Sequence, residues 1–181
     1  SLIMPQIKIT KAPPNAHTFY HTHPSKDEPS LSSPDDFLLY LDLSHDPQNI
    51  RDFYTVMKDR LDHFKITPKR GTKKDFVKID EDKFISELDA QLDIIQEKRS
   101  ESMANEDYQD DLQFCEQVTK DAVAWLNKKY GKYFTIKYRC YYRVRKNPDK
   151  DEGVDLHLGN AFVMKAMKDV KSGSITWPNF D

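Results

Sequence analysis

The feature that most constrains this chain is the alternation over residues 132–146. Phe134, Ile136, Tyr138, Cys140, Tyr142 and Val144 fall on one side of an extended backbone, and Lys137, Arg139, Arg143 and Arg145 on the other. A strand of this kind needs one face packed and one face wet. Two helical stripes accompany it. Ile85, Leu88, Leu92 and Ile95 recur at spacings of three and four over about 82–100, and Leu112, Cys115, Val118, Ala122 and Leu126 do so from Asn105 to about Lys129. Gly131 stands where the second of these helices should stop. Strand and helices in one chain predict a mixed α+β fold.

The remaining segments fill in the order. Residues 1–24 read as extended, with Ile7-Lys8-Ile9-Thr10 alternating and Thr18-Phe19-Tyr20 leading into His21-Thr22-His23-Pro24. Ser33-Pro34-Asp35-Asp36 is a helix start: a Ser cap, Pro in the first turn, and two acids at the positive end of the dipole. The apolar run Phe37-Leu38-Leu39-Tyr40-Leu41 makes that helix a buried one. Asp46-Pro47 is expected to open another helix, to about residue 65, because Ile50, Phe53, Met57, Leu61 and Phe64 recur at helical spacing. Residues 67–79 read as a basic loop followed by a short strand, and 160–171 as a last short helix between Asn160 and Gly173. These segments fall into three stretches: 1–45, a largely helical 46–130, and a strand with a short helix over 131–181.

Composition excludes several classes. The 181 residues carry 28 Lys and Arg against 30 Asp and Glu, so no global field draws the chain to nucleic acid or to a membrane surface. No run approaches the ~18 apolar residues of a membrane span. Cys115 and Cys140 make neither a disulfide framework nor a metal-ligand pair in sequence, which suits a reducing, intracellular compartment. The first residue is Ser, so the chain is read as a processed product or as one that begins inside a longer protein.

The chemistry concentrates near the N-terminus. In a strand, residues i and i+2 share a side, so His21 and His23 present both imidazoles to one point. Asp35 lies in the first turn of the following helix, and the excursion from Ser25 to Pro34 can return it to the strand end. Two imidazoles and a carboxylate are a three-ligand set for catalytic zinc, with the fourth position left to water. Ser32 can cap the helix or donate to an oxyanion beside the metal.

The stretch His21-Thr22-His23-Pro24, seven residues, Ser32, two residues and Asp35 resembles the signature of the JAMM (MPN+) metallopeptidases. The match spans about 18 residues. The resemblance implies a cytidine-deaminase-like core, partial at the N-terminus here, with 1–45 as the C-terminal part of its metal-site core, 46–130 as a large helical insertion or extension, and 131–181 packed on the same domain. It also implies Zn2+ held by His21, His23 and Asp35, and a catalytic Ser32 that stabilises the tetrahedral intermediate. The activity implied is hydrolysis of peptide or isopeptide bonds, with a ubiquitin or ubiquitin-like conjugate as substrate. The family's general base is a Glu well upstream, whereas residues 1–20 contain neither Asp nor Glu. That base then lies before Ser1, comes from another segment, or is missing from a chain that does not hydrolyse; Asp27 and Glu28 are the acids of the intervening loop.

A second expectation belongs to a different class: a non-catalytic assembly subunit of a larger complex or virus particle, offering partner surface through helices over 47–65 and 82–129. A nucleic-acid module is the weakest reading, because the aromatics of 132–146 lie on the side opposite the basic residues. His45, His63 and His157 have no partners at ligand spacing.

Overall fold

A computed structural model describes residues 18–23, 28–45, 48–57, 60–104 and 111–142. Strand β1, Thr18–Thr22, leads through a 3-10 turn at Ser30–Ser32 into helix α1, Pro34–Ser44. Strands β2, Asp52–Val56, and β3, Arg60–Pro68, follow. Next come α2, Lys73–Phe76, α3, Glu81–Ala104, α4, Asp111–Tyr130, and β4, Phe134–Tyr142. Among the described residues the strands form one sheet in the order β1-β2-β3-β4. β1 and β2 are parallel, with α1 as the crossover such a pair requires, and the other two pairings are antiparallel. The molecule is therefore mixed α+β, as the pattern of strand and helical stripes predicts.

Helix α1 starts at Pro34, where the Ser-Pro-Asp-Asp signal places it. Its last turn is closed from beyond the helix: Ile50 N–H donates to Leu43 O at 3.0 Å, and Arg51 donates to the Ser44 carbonyl. Asn49 makes the reversal with φ of 54°, in the left-handed region that Asn tolerates better than most residues.

The helix expected over 47–65 is replaced by β2 and β3. The spacing of Ile50, Phe53, Met57, Leu61 and Phe64 misleads for a physical reason. Phe53, Tyr54 and Thr55 are all buried, so this inner strand shows no polar alternation, and its apolar residues fall by chance on a helical stripe. The β-branched and aromatic run Phe53-Tyr54-Thr55-Val56 suits a pleated sheet. The strand expected at 75–79 is likewise absent. Lys73–Phe76 is a short helix that turns Phe76 inward, its ring stacked on His45 at 4.3 Å, while Val77 stays exposed. The helix expected at 160–171, and Arg143, Val144 and Arg145, lie outside the described residues.

The two long helices match their stripes. Leu88, Leu92 and Ile95 of α3 and Cys115, Val118, Ala122 and Leu126 of α4 are buried, with Phe84 in place of the half-buried Ile85 at the start of the α3 stripe. The helices run antiparallel, pinned by the Arg99–Asp121 fork (2.6 and 2.8 Å) at one end and by Glu87 with Lys129 and Tyr130 at the other. α4 ends before Gly131, where a Cβ would lie 2.2 Å from Asn127 O. The Asn127 side chain then accepts from Ile136 N–H (2.8 Å) and donates to Ile136 O (2.9 Å), occupying backbone groups of β4 that face away from β3.

On β4, Phe134 and Ile136 are buried while Lys137 and Arg139 are exposed, as the alternation predicts. The register places His21, Thr55, Asp62 and Cys140 side by side across the sheet. That polar row adjoins an aromatic one, Phe19, Phe53, Phe64 and Tyr138.

Candidate metal centre

The site forms where β1 ends and α1 begins. Phe19 and His21 project to the face covered by α1, and His21 is buried, 2% exposed. His23 lies one residue past β1, yet its N–H donates to Val56 O at 2.9 Å. This bond continues the β1–β2 ladder and keeps the backbone extended, so both imidazoles share a side, with ring centroids 5.4 Å apart.

The acid that meets them is Asp36. Its Oδ2 lies 3.1 Å from His21 Nε2 and 3.3 Å from His23 Nε2. The three side chains offer one ligand atom each within 4.8 Å of one another. Burial would push the Asp36 carboxyl up, but the hydrogen bonds and charge of His21 and His23 outweigh it and hold it well below the usual carboxylate range.

Asp35, the expected ligand, is not brought to this point. It is exposed, on the side facing α3, where its charge joins burial and Asp93 in raising the carboxyl of Asp89. Ser32 is exposed as well, whereas the Ser33 hydroxyl is 3.1 Å from His23 Nε2. Ser33 is the N-cap residue of α1, but its side chain makes no capping bond and turns to the histidine instead. The reason is helical phase. Asp36, Tyr40 and Ser44 repeat every four residues along one face, and Tyr40 and Ser44 are buried; Asp35 and the exposed Asp42 lie on another. The sequence Ser32-Ser33-Pro34-Asp35-Asp36 contains two overlapping Ser-x-x-Asp frames, and the second is the one turned to the histidines. That Tyr40 must be inward, in a run ending at Ser44, is the signal that could have selected Asp36.

The floor of the site is aromatic. Tyr40 lies edge-on to His21, stacks on Phe53 at 4.8 Å, and exchanges a 2.7 Å hydrogen bond with Thr55. Burial, opposed by that bond and reinforced by the charges of Asp36 and Asp62, pushes its hydroxyl far above the ordinary range, so it stays protonated.

No family model, curated protein or solved structure matches this chain.

Beside the histidines lies a second polar group that the sequence did not announce. Arg60 and Asp62 are both fully buried, with Arg60 Nε 3.3 Å from Asp62 Oδ2, and Tyr138 donates to Asp62 Oδ1 at 2.7 Å. Arg60 also donates through Nη2 to the carbonyl of Glu28, tying the loop before α1 to β3. Burial and then the Asp62 charge push the neighbouring Cys140 thiol up, and Cys115 and Cys140 are thiols rather than halves of a disulfide. Among the described residues no helix is long and apolar enough to cross a membrane.

Proposed function

We propose that His21, His23 and Asp36 hold Zn2+ in a JAMM-type hydrolase that cleaves peptide or isopeptide bonds, with a ubiquitin-like conjugate as the substrate class. One observation carries the reading: two imidazole nitrogens and a carboxylate oxygen converge on one point at the end of a strand. Two of the three ligand spacings suit the ion. Zinc with bonds of ~2.0–2.1 Å in tetrahedral geometry separates its ligand atoms by about 3.3 Å. The His21–Asp36 and His23–Asp36 separations are 3.1 and 3.3 Å. Moving the frame one residue along keeps the Ser-x-x-Asp spacing of the resemblance, now as Ser33 and Asp36, and departs from it by putting eight residues instead of seven between Pro24 and the serine.

When bound, the ion supplies Lewis-acid polarisation of a carbonyl and a water of lowered pKa. The chain's own residues do the rest. Asp36 and His21 are held by α1 and β1 against a packed aromatic floor, so they need little reorganisation to bind. Ser33, its hydroxyl released from capping, is placed to donate to an oxyanion developing next to His23.

A second reading is favoured by the two long helices α3 and α4, which offer partner surface: a non-catalytic subunit that keeps the metal site for structure and assembles into a larger complex. One experiment decides between them. The purified chain is loaded with zinc and given a ubiquitin-type isopeptide substrate, with and without chelator. Chelator-sensitive cleavage that His23→Ala and Asp36→Asn remove supports the hydrolase. Stoichiometric zinc with no cleavage, even with the sequence upstream of Ser1 restored, supports the structural subunit, and no zinc bound at all defeats both.

A further inference from the structure

We infer that Glu28 is the outer carboxylate that orients the His23 imidazole for metal binding, a positioning role that rests on the zinc reading above. A histidine that ligates through one ring nitrogen commonly donates its other N–H to a carboxylate, carbonyl or water, which fixes both tautomer and ring angle. The inward nitrogen here is His23 Nε2, which faces Asp36 at 3.3 Å and Ser33 at 3.1 Å. That leaves Nδ1, a buried atom with no hydrogen-bond partner among the described residues. The facing group is the Glu28 carboxylate, whose Oε1 lies 3.8 Å from Nδ1. At that distance no water fits between them, and the gap exceeds a hydrogen bond by under an ångström. The Glu28 side chain is 42% exposed, and rotation about its torsions would close the gap.

The backbone of Glu28, by contrast, is anchored. The fully buried Arg60 donates to its carbonyl, and Pro29, Ser30 and Leu31, which follow it, are buried. Arg60 is in turn held by Asp62 on the same strand. A loop residue six positions before the start of α1 would otherwise have no fixed place; this one is fastened to β3, 32 residues away in sequence. The arrangement is a carboxylate on a rigid base, aimed at the unused nitrogen of a metal-ligating ring.

The test is zinc affinity by competition with a chromophoric chelator, measured on the whole chain for wild type, Glu28→Ala, Glu28→Gln and His23→Ala. Loss of an outer partner lowers metal affinity by about 10–100-fold. Glu28→Ala is expected to show such a loss and Glu28→Gln, whose amide oxygen still accepts, to recover part of it. In 15N-edited spectra of the zinc-loaded protein, the Nδ1–H proton of His23 should appear downfield in wild type and Glu28→Gln and vanish by exchange in Glu28→Ala. Wild-type affinity and an unchanged His23 resonance in Glu28→Ala, with binding abolished in His23→Ala, would overturn the role of Glu28 and leave the zinc centre standing. Wild-type zinc binding in His23→Ala would overturn the zinc centre and the role of Glu28 with it.

Discussion

Exchanging the two neighbouring acids of α1 one at a time puts the site geometry to a direct test. Asp36→Asn removes a carboxylate 3.1 and 3.3 Å from the two imidazoles, whereas Asp35→Asn changes an exposed side chain one residue away. Without metal, Asp36→Asn should cost about 1.5–3 kcal/mol, the worth of a hydrogen bond to a charged group. Asp35→Asn should cost about 0.3–1 kcal/mol, the interaction of an exposed acid with the helix dipole. Zinc separates them further. An ion that binds only the folded state adds about 2.7 kcal/mol at one hundred times its Kd. For a chain of this length 1 kcal/mol moves Tm by about 2–4 °C, so zinc should raise Tm by about 5–11 °C in wild type. Asp35→Asn should keep that rise and Asp36→Asn should lose most of it, read by circular dichroism with zinc titrated against a chelated baseline. A full zinc shift in Asp36→Asn, or its loss in Asp35→Asn, would refute the choice of frame.

Three further outcomes follow from the same structure. Asp62→Ala leaves the Arg60 guanidinium buried without its carboxylate and takes the acceptor from Tyr138, so urea denaturation should show a loss of about 3–5 kcal/mol, and Arg60→Met with Asp62→Leu should regain most of it. The His63 hydrogen bond, 2.8 Å, holds the Asp52 carboxyl below its ordinary range despite partial burial. A depressed carboxyl stabilises the fold above the unfolded value of about 3.9 and loses that contribution as pH falls through its folded value. His63→Ala should therefore cost about 0.5–1 kcal/mol at neutral pH, and the difference from wild type should vanish in acid denaturation once pH has fallen through the lowered Asp52 value. Gly131→Ala drives a Cβ to within 2.2 Å of the Asn127 carbonyl, and should cost about 1–3 kcal/mol by shifting the turn between α4 and β4.

How much of this was written in the chain differs from element to element. Local signals sufficed where one element answers to one face. The i, i+2 spacing put His21 and His23 together because a single backbone bond to Val56 keeps that stretch extended. The Ser-Pro-Asp-Asp start placed α1, and the stripes of α3 and α4 and the alternation of β4 match the faces they bury. The segment 47–65 was illegible because Phe53, Tyr54 and Thr55 are covered on both sides, and a strand buried on both faces carries no period of two to read.

The candidate site divides along the same line. Ring spacing in β1 and the presence of an acid in the first turn of α1 are properties of short segments, and the sequence alone determines them. Whether Asp35 or Asp36 turns to the histidines depends on how α1 is rotated against the sheet, and that rotation is decided by Phe37, Tyr40 and Leu41 packing on Phe19, Phe53 and Phe64. The place of Glu28 depends on Arg60, a residue of another strand. Contacts between distant segments are set by the burial of the whole core, which is why only the tertiary structure decided which acids meet the imidazoles.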